Sequence, residues 1–253
     1  MSVMIKSLKT ELQKLKYRRL PLLLLGFLML VFFWLLVTLL GNKSVSLSDG
    51  YFSVLYQLPI MNTLLMPLFI AVLASRIWDI EHKGNSLKLL CTLQKREYLY
   101  DAKSLIGIFL CFVVSLGECL LLPLLGRLLH FTQTFPAIHV LLLLITTFIT
   151  SIFLYFLQEI ISFLFENQVV ALAAGLIGSF FGLFSIFFAR GFQQFVLWSY
   201  YSLLQTIGMN WDSTTRDISY TEVPLSLSHL LLLCLFTLLL AVAGKKLFHR
   251  KEI

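Results

Sequence analysis

The residue types able to do chemistry are few in this chain and poorly grouped. Its five histidines, His82, His130, His139, His229 and His249, are scattered along 253 residues. None sits in an HExxH pair for a metal, and no GxSxG elbow offers a serine nucleophile. The cysteines Cys91, Cys111, Cys119 and Cys234 have no paired spacing for a disulfide or a metal, and read as small packing residues. Nucleotide hydrolysis lacks its cradle too. Gly244-Lys245-Lys246 comes nearest to a phosphate loop, but lacks the upstream glycine and the hydroxyl that meets magnesium. What remains is Glu118 and Arg127, two charges inside one apolar run. Glu118 lies fourteen residues past Ser104, roughly 21 Å along a helix. A carboxylate at that depth needs a partner or a wet cavity, whereas Arg127 is near enough to an interface to snorkel.

The elements that must position these residues are membrane spans. The chain is 58% hydrophobic and 13% charged, with a mean hydropathy of +0.88; a soluble domain carries about 25% charged residues. Apolar blocks at 21–40, 58–75, 104–129, 138–157, 169–189 and 225–243 each approach the ~20 residues that cross a hydrocarbon core. In lipid each block must satisfy its own backbone, so helices are expected, and none alternates as a barrel strand would. The first block is too long for a signal peptide and lacks a small-residue cleavage site, so no cleaved leader is expected. The fold class is an all-α integral membrane protein with six transmembrane helices.

Charge sets the orientation. Lys6, Lys9, Lys14, Lys16, Arg18 and Arg19 precede the first block, Arg76, Lys83, Lys88, Lys95, Arg96 and Lys103 follow the second, and Lys245, Lys246, Arg250 and Lys251 follow the last. Segments 42–57 and 130–137 hold only Lys43 between them. Cations collect on the cytoplasmic side, so both termini and the 76–103 loop are cytoplasmic. The formal charge of +7 then suits anionic inner-leaflet lipid; nucleic acid would need a soluble basic face that is missing. The connection 158–168, with Glu159 and Glu166 and no cation, is either an inner loop or a shallow hairpin.

Residues 1–20 form a cytoplasmic interfacial helix, with Ile5, Leu8, Leu12 and Leu15 as its apolar stripe. Residues 21–253 form one transmembrane domain. Within the 76–103 loop, Ile77, Ile80, Gly84, Leu87, Leu90 and Cys91 keep helical spacing, while Gly84-Asn85-Ser86 bends or breaks it. A short helix over 86–93 is expected, with re-entry from about Arg96. The outer segment 190–224 is rich in interface aromatics, Trp198, Tyr200, Tyr201 and Trp211, and reads as short helices in the outer leaflet. Small residues Ala174, Gly178 and Gly182 repeat every four positions and favour close helix packing, within one subunit or between two.

A basic interfacial helix, six spans, a cytoplasmic loop between spans two and three and an amphipathic outer segment together resemble the ABC-2 type of exporter permease. The loop pattern of that family falls on Glu81, Gly84, Leu89, Leu90, Arg96, Tyr98 and Lys103. A proline usual before the loop arginine is replaced by Gln94-Lys95, which loosens the detailed alignment. The opening Glu11-Leu12-Gln13-Lys14-Leu15-Lys16 and Trp198-Ser199-Tyr200 are similar to the permease subunits of lantibiotic-protection (bacteriocin immunity) transporters.

That resemblance implies a bacterial plasma-membrane transport subunit with no cofactor of its own. ATP and magnesium are expected on a separate ABC ATPase subunit dimer. It also implies a second permease, identical or related, and export of a lantibiotic or similar amphipathic antimicrobial peptide; the alternatives are another hydrophobic compound or ion, or a non-transporting membrane scaffold. Glu81, Gly84, Leu87, Leu90, Arg96, Tyr98 and Lys103 are then the ATPase-coupling loop, with Glu81 and Arg96 fixing it by local bonds or lying on a solvated face. Glu118 either faces the translocation route or subunit interface, or is a protonated glutamate bonded between helices. Asp49, Asp212, Asp217 and Glu222 against Arg190 and Arg216 leave too small an outer charge excess to identify a cationic peptide.

Overall fold

Lipid leaves an apolar segment no external partner for its backbone, and the apolar blocks accordingly become long helices. The computed structural model describes residues 3–16, 19–41, 47–83, 95–212 and 218–250. Helix α1 (Val3–Lys16) precedes five helices that follow one another along the chain: α2 (Leu20–Gly41), α3 (Gly50–Lys83), α4 (Arg96–Leu128), α5 (Ala137–Leu164) and α6 (Gln168–Ser185). Two short helices, α7 (Arg190–Gln193) and α8 (Tyr200–Leu203), then lead to an antiparallel hairpin of β1 (Ile207–Trp211) and β2 (Ile218–Glu222), and α9 (Leu227–Arg250) closes the chain. Helices α2 to α6 and α9 are the six long and apolar enough to span.

Helix α3 is the centre of the bundle, packing against α2, α4, α5, α6 and α8. Its 34 residues reach roughly 51 Å at 1.5 Å per residue, far beyond a hydrocarbon core of about 30 Å. Pro59 and Pro67 each remove a helical N–H. Enclosure by neighbouring helices makes this tolerable, and Thr63 Oγ1 adds a local bond to Pro59 O at 2.9 Å. Helices α2 and α9 instead bury few of their leucines and phenylalanines, leaving Leu22, Leu25 and Phe33 of α2 and Leu231, Leu235 and Leu238 of α9 exposed, as lipid-facing helices do.

Four details depart from the sequence reading. First, the 76–103 loop is mostly helix: α3 continues to Lys83 and α4 starts at Arg96, so 84–95 alone separates them. The helix expected over 86–93, with Gly84, Leu87, Leu89 and Leu90, lies outside the described residues. Second, α5 runs on to Leu164, and only 165–167 joins it to α6, with Asn167 Oδ1 accepting from Val169 N at 3.0 Å. Gln158 and Glu159 are therefore buried helix residues rather than loop. A charge there suggested an end, but Leu157, Ile160 and Phe163 continue the helical period past it. Third, the outer segment contains the hairpin, with Ile207 opposite Glu222 and Trp211 opposite Ile218. Ile, Trp, Tyr and Thr suit strands, and the aromatics that pointed to interfacial helices serve both purposes.

The fourth departure concerns α1. Leu12 is 45% exposed, while Ser7 and Glu11 are buried. Thus α1 turns a polar edge toward the protein and part of its apolar stripe outward. The reason lies in what α3 and α4 hold beneath it.

Candidate functional site

At the cytoplasmic ends of α1, α3 and α4 four side chains form a closed ring of alternating charge. Residues 74, 77, 78 and 81 share one face of α3, so the apolar anchor of Ala74, Ile77 and Trp78 carries Glu81 inward with it. Lys103 comes from the first turns of α4, and Glu11 and Lys14 from α1 at i,i+3 spacing. Lys14 Nζ lies 2.5 Å from Glu11 Oε1 and 3.0 Å from Glu81 Oε1. Lys103 Nζ lies 2.9 Å from Glu11 Oε2 and 2.7 Å from Glu81 Oε2. Each carboxylate thus meets both ammonium groups, and the ring is neutral.

Burial separates this ring from a surface ion pair. The side chains of Glu81 and Lys103 are 0% exposed. Lys103 also donates to Ile77 O at 2.9 Å and sits 5.2 Å over the Trp78 ring. All three ammonium hydrogens therefore have a carboxylate or carbonyl within reach. Burial pushes the Glu11 carboxyl up, but Lys103 and Lys14 outweigh it and hold the group below its ordinary 4.5. Burial likewise pushes Lys14 down, and Glu11 with Glu81 outweighs that and raises it above 10.5.

An aromatic box adjoins the ring. Trp78, Tyr100, Phe163 and Phe248 come from α3, α4, α5 and α9, and every pair of them is in ring contact at 5.2 to 6.3 Å. Behind it, Glu159 accepts from Ser104 Oγ at 2.9 and 3.1 Å and from Tyr155 OH at 3.4 Å. Lys245 reaches Asp101 at 2.8 Å, and Arg96 Nη1 donates to His249 O at 3.2 Å. The ring, the box and these bonds join α1, α3, α4, α5 and α9 into one floor on both sides of 84–94.

The structure thus brings together Glu81, Lys103 and Arg96 from the expected loop. Tyr98 joins through its backbone, accepting from Ser7 Oγ at 3.5 Å. Glu118 lies elsewhere, buried at mid-bundle and accepting from Asn62 Nδ2 at 2.7 Å. Arg127 is exposed in the last turn of α4. Gly178 and Gly182 face inward: a Cβ on Gly178 would meet Trp198 at 2.1 Å, and one on Gly182 would meet Thr63 and Trp198 at 3.0 Å. Ala174 is half-buried beside them. The neighbours that Gly178 and Gly182 pack against lie within this chain. Sequence reasoning missed Glu11 as a ring member, Glu159 as a buried acid and Asn62 as a partner. Glu11 had left a signal: it is the one acid among the six cations of residues 1–20.

Residues 7–182 match the family described as ABC-2 family transporter protein, more than half of the chain. The chain belongs to the ABC-2 transporter family. No curated protein and no solved structure matches it. An ABC-2 permease is a multi-pass plasma-membrane transport subunit, and the ATPase of its transporter is a separate ABC subunit. The matched span includes α2 to α5 and all four ring residues. Among the described residues no group of His, Cys, Asp and Glu is arranged to hold a metal.

Proposed function

We propose that this ABC-2 permease is driven through its cytoplasmic floor and exports a lantibiotic or similar amphipathic antimicrobial peptide from a bacterial plasma membrane. The observation that carries the coupling half is the ion ring. Segment 84–94 is strung between the ends of α3 and α4, and the ring ties those two ends to each other and to α1. A push on 84–94 by a closing ATPase dimer then moves three helices as one body, because separating them would strand buried charge. Glu81 and Lys103 hold the lever, and Gly84, Leu87 and Leu90 form the surface pushed. A second permease subunit, the same chain or a related one, completes the pathway.

The substrate half is supported by the resemblance of residues 11–16 and 198–200 to lantibiotic-protection permeases. The outer surface adds an amphipathic cover. Tyr220 OH donates to Ser53 Oγ at 3.1 Å and His139 pairs with Glu222 at 3.2 Å, while Trp211 on the same hairpin stays exposed. Co-expression of the chain with its ATPase subunit, followed by peptide-challenge survival, tests both halves. Protection is expected with the intact pair and lost when the ATPase cannot hydrolyse ATP. Co-purification of the ATPase without any protection would retain the exporter and remove the peptide.

A further inference from the structure

Glu118 and Glu159 are carboxylates buried in the bundle away from the ion ring, and their surroundings differ in kind. Glu159 meets hydroxyls, Ser104 and Tyr155, which rotate freely to donate. Glu118 meets an amide, and an amide has one donor end and one acceptor end. Asn62 Nδ2 spends its donor on Glu118 Oε2 at 2.7 Å. The two atoms left over, Asn62 Oδ1 and Glu118 Oε1, are both buried and both without a hydrogen-bond partner. Asn62 is 0% and Glu118 1% exposed, so bulk solvent does not touch them.

With Glu118 ionised, both leftover atoms are acceptors and the site also holds an uncompensated charge. Turning the amide over does not help, because an acceptor then faces the carboxylate directly. A single proton on Glu118 makes one leftover acceptor a donor for the other. The pair then closes with two hydrogen bonds and no charge. Among the described residues of α3 and α4, no cation lies within two helical turns of the pair. Along α3 and α4 the nearest is Arg127, nine residues from Glu118 and exposed, while Arg76 is fourteen from Asn62. Helix α2 has no titratable side chain along its length, and those of α5, His139, Tyr155 and Glu159, lie toward its ends or in the floor. Cys119 and, from α8, Tyr201 are titratable groups that feel the charge of Glu118, a thiol and a phenol that are neutral at their ordinary pKa values.

We propose that Glu118 is a proton-binding site, holding its acid form at neutral pH as an acid–amide pair with Asn62 that fastens α3 to α4 within the membrane. Loss of that proton sets a carboxylate against an amide oxygen, so the contact between the two helices at this depth depends on one proton, whatever the transporter carries.

Infrared difference spectroscopy of the full chain in lipid nanodiscs reads the proton directly. At neutral pH a protonated-carboxyl band is expected in the wild type and absent in Glu118→Gln, and Asn62→Leu shifts that band to the higher frequency of a carboxyl without a hydrogen bond. Glu118→Gln should melt with the wild type, since glutamine makes the same two bonds without a proton. Loss of an ionised-carboxylate band in Glu118→Gln, with the protonated region unchanged, overturns the proposal. So does a band unmoved by Asn62→Leu, or a Glu118→Gln chain that melts well below the wild type. Should that variant not accumulate, isotope-labelled glutamate in wild type and Asn62→Leu gives the same reading.

Discussion

Lys103 is the residue on which the cytoplasmic floor depends most. Replacing it with methionine leaves Glu11 and Glu81 buried with only Lys14 between them. Breaking a buried pair from one side costs about 3–5 kcal/mol, whereas replacing both partners by apolar groups is often nearly neutral. Thermal melts should therefore show Lys103→Met far less stable than wild type, and Glu81→Met with Lys103→Met much closer to it. The ring also sets a pH window. Glu11 is held below its ordinary 4.5, so its share of α1 docking is present above that pH and lost as pH falls through the lowered value. Lys14 is held above 10.5, so its share is present below that pH and lost as pH rises through the raised value. A spin label at the exposed Lys9 position should report a docked helix between those limits and a freed one in acid. His130 gives a smaller test. It stands just past α4 with φ 55°, and Phe131 N bonds back to Gly126 O at 2.9 Å. That left-handed position normally takes glycine, so His130→Gly should raise stability by about 1 kcal/mol.

Helix α6 shows how element and residue constrain each other. Gly178 is a slot for Trp198, and Gly175 lets α3 approach, its added Cβ meeting Ala71 at 2.6 Å. Gly178→Ala should lose roughly 1–3 kcal/mol of stability through overpacking, and shortening Trp198 to alanine in the same chain should cost less than the two changes summed. The stripe of small residues was legible in the sequence because its spacing is helical; its partner was not, because Trp198 lies beyond the helix in a three-residue 3-10 turn. The same limit applies to the spans. Their number and order followed from apolar length alone. Their ends did not, since α3, α4 and α5 carry charged residues well past the apolar blocks by pairing them internally. A charge read as a loop marker is ambiguous when a partner from another helix can neutralise it or hydrogen-bond to it. Glu81 with Lys103 and Glu159 with Ser104 are both such cases, and 22 and 55 residues separate the partners along the chain.

At the scale of the whole molecule, sidedness was carried by the lysines and arginines and needs no contact to read. Single cysteines at 222 and 250, in a chain with Cys91, Cys111, Cys119 and Cys234 replaced, should label differently. An impermeant reagent applied outside intact cells should reach position 222 in the hairpin and not position 250. The hairpin itself was hidden in the sequence because its strands are five residues each and their aromatics fit an interface equally well. The ring has a further consequence for how the protein is made. Glu11 and Lys14 emerge first, Glu81 only after two spans have been synthesised, and Lys103 last. Until the ribosome has passed residue 103, Glu11 and Glu81 have only one of the ring's two lysines, Lys14, to match them. The first helix made is therefore among the last to settle, and a chain truncated before α4 remains chemically unfinished at its cytoplasmic face.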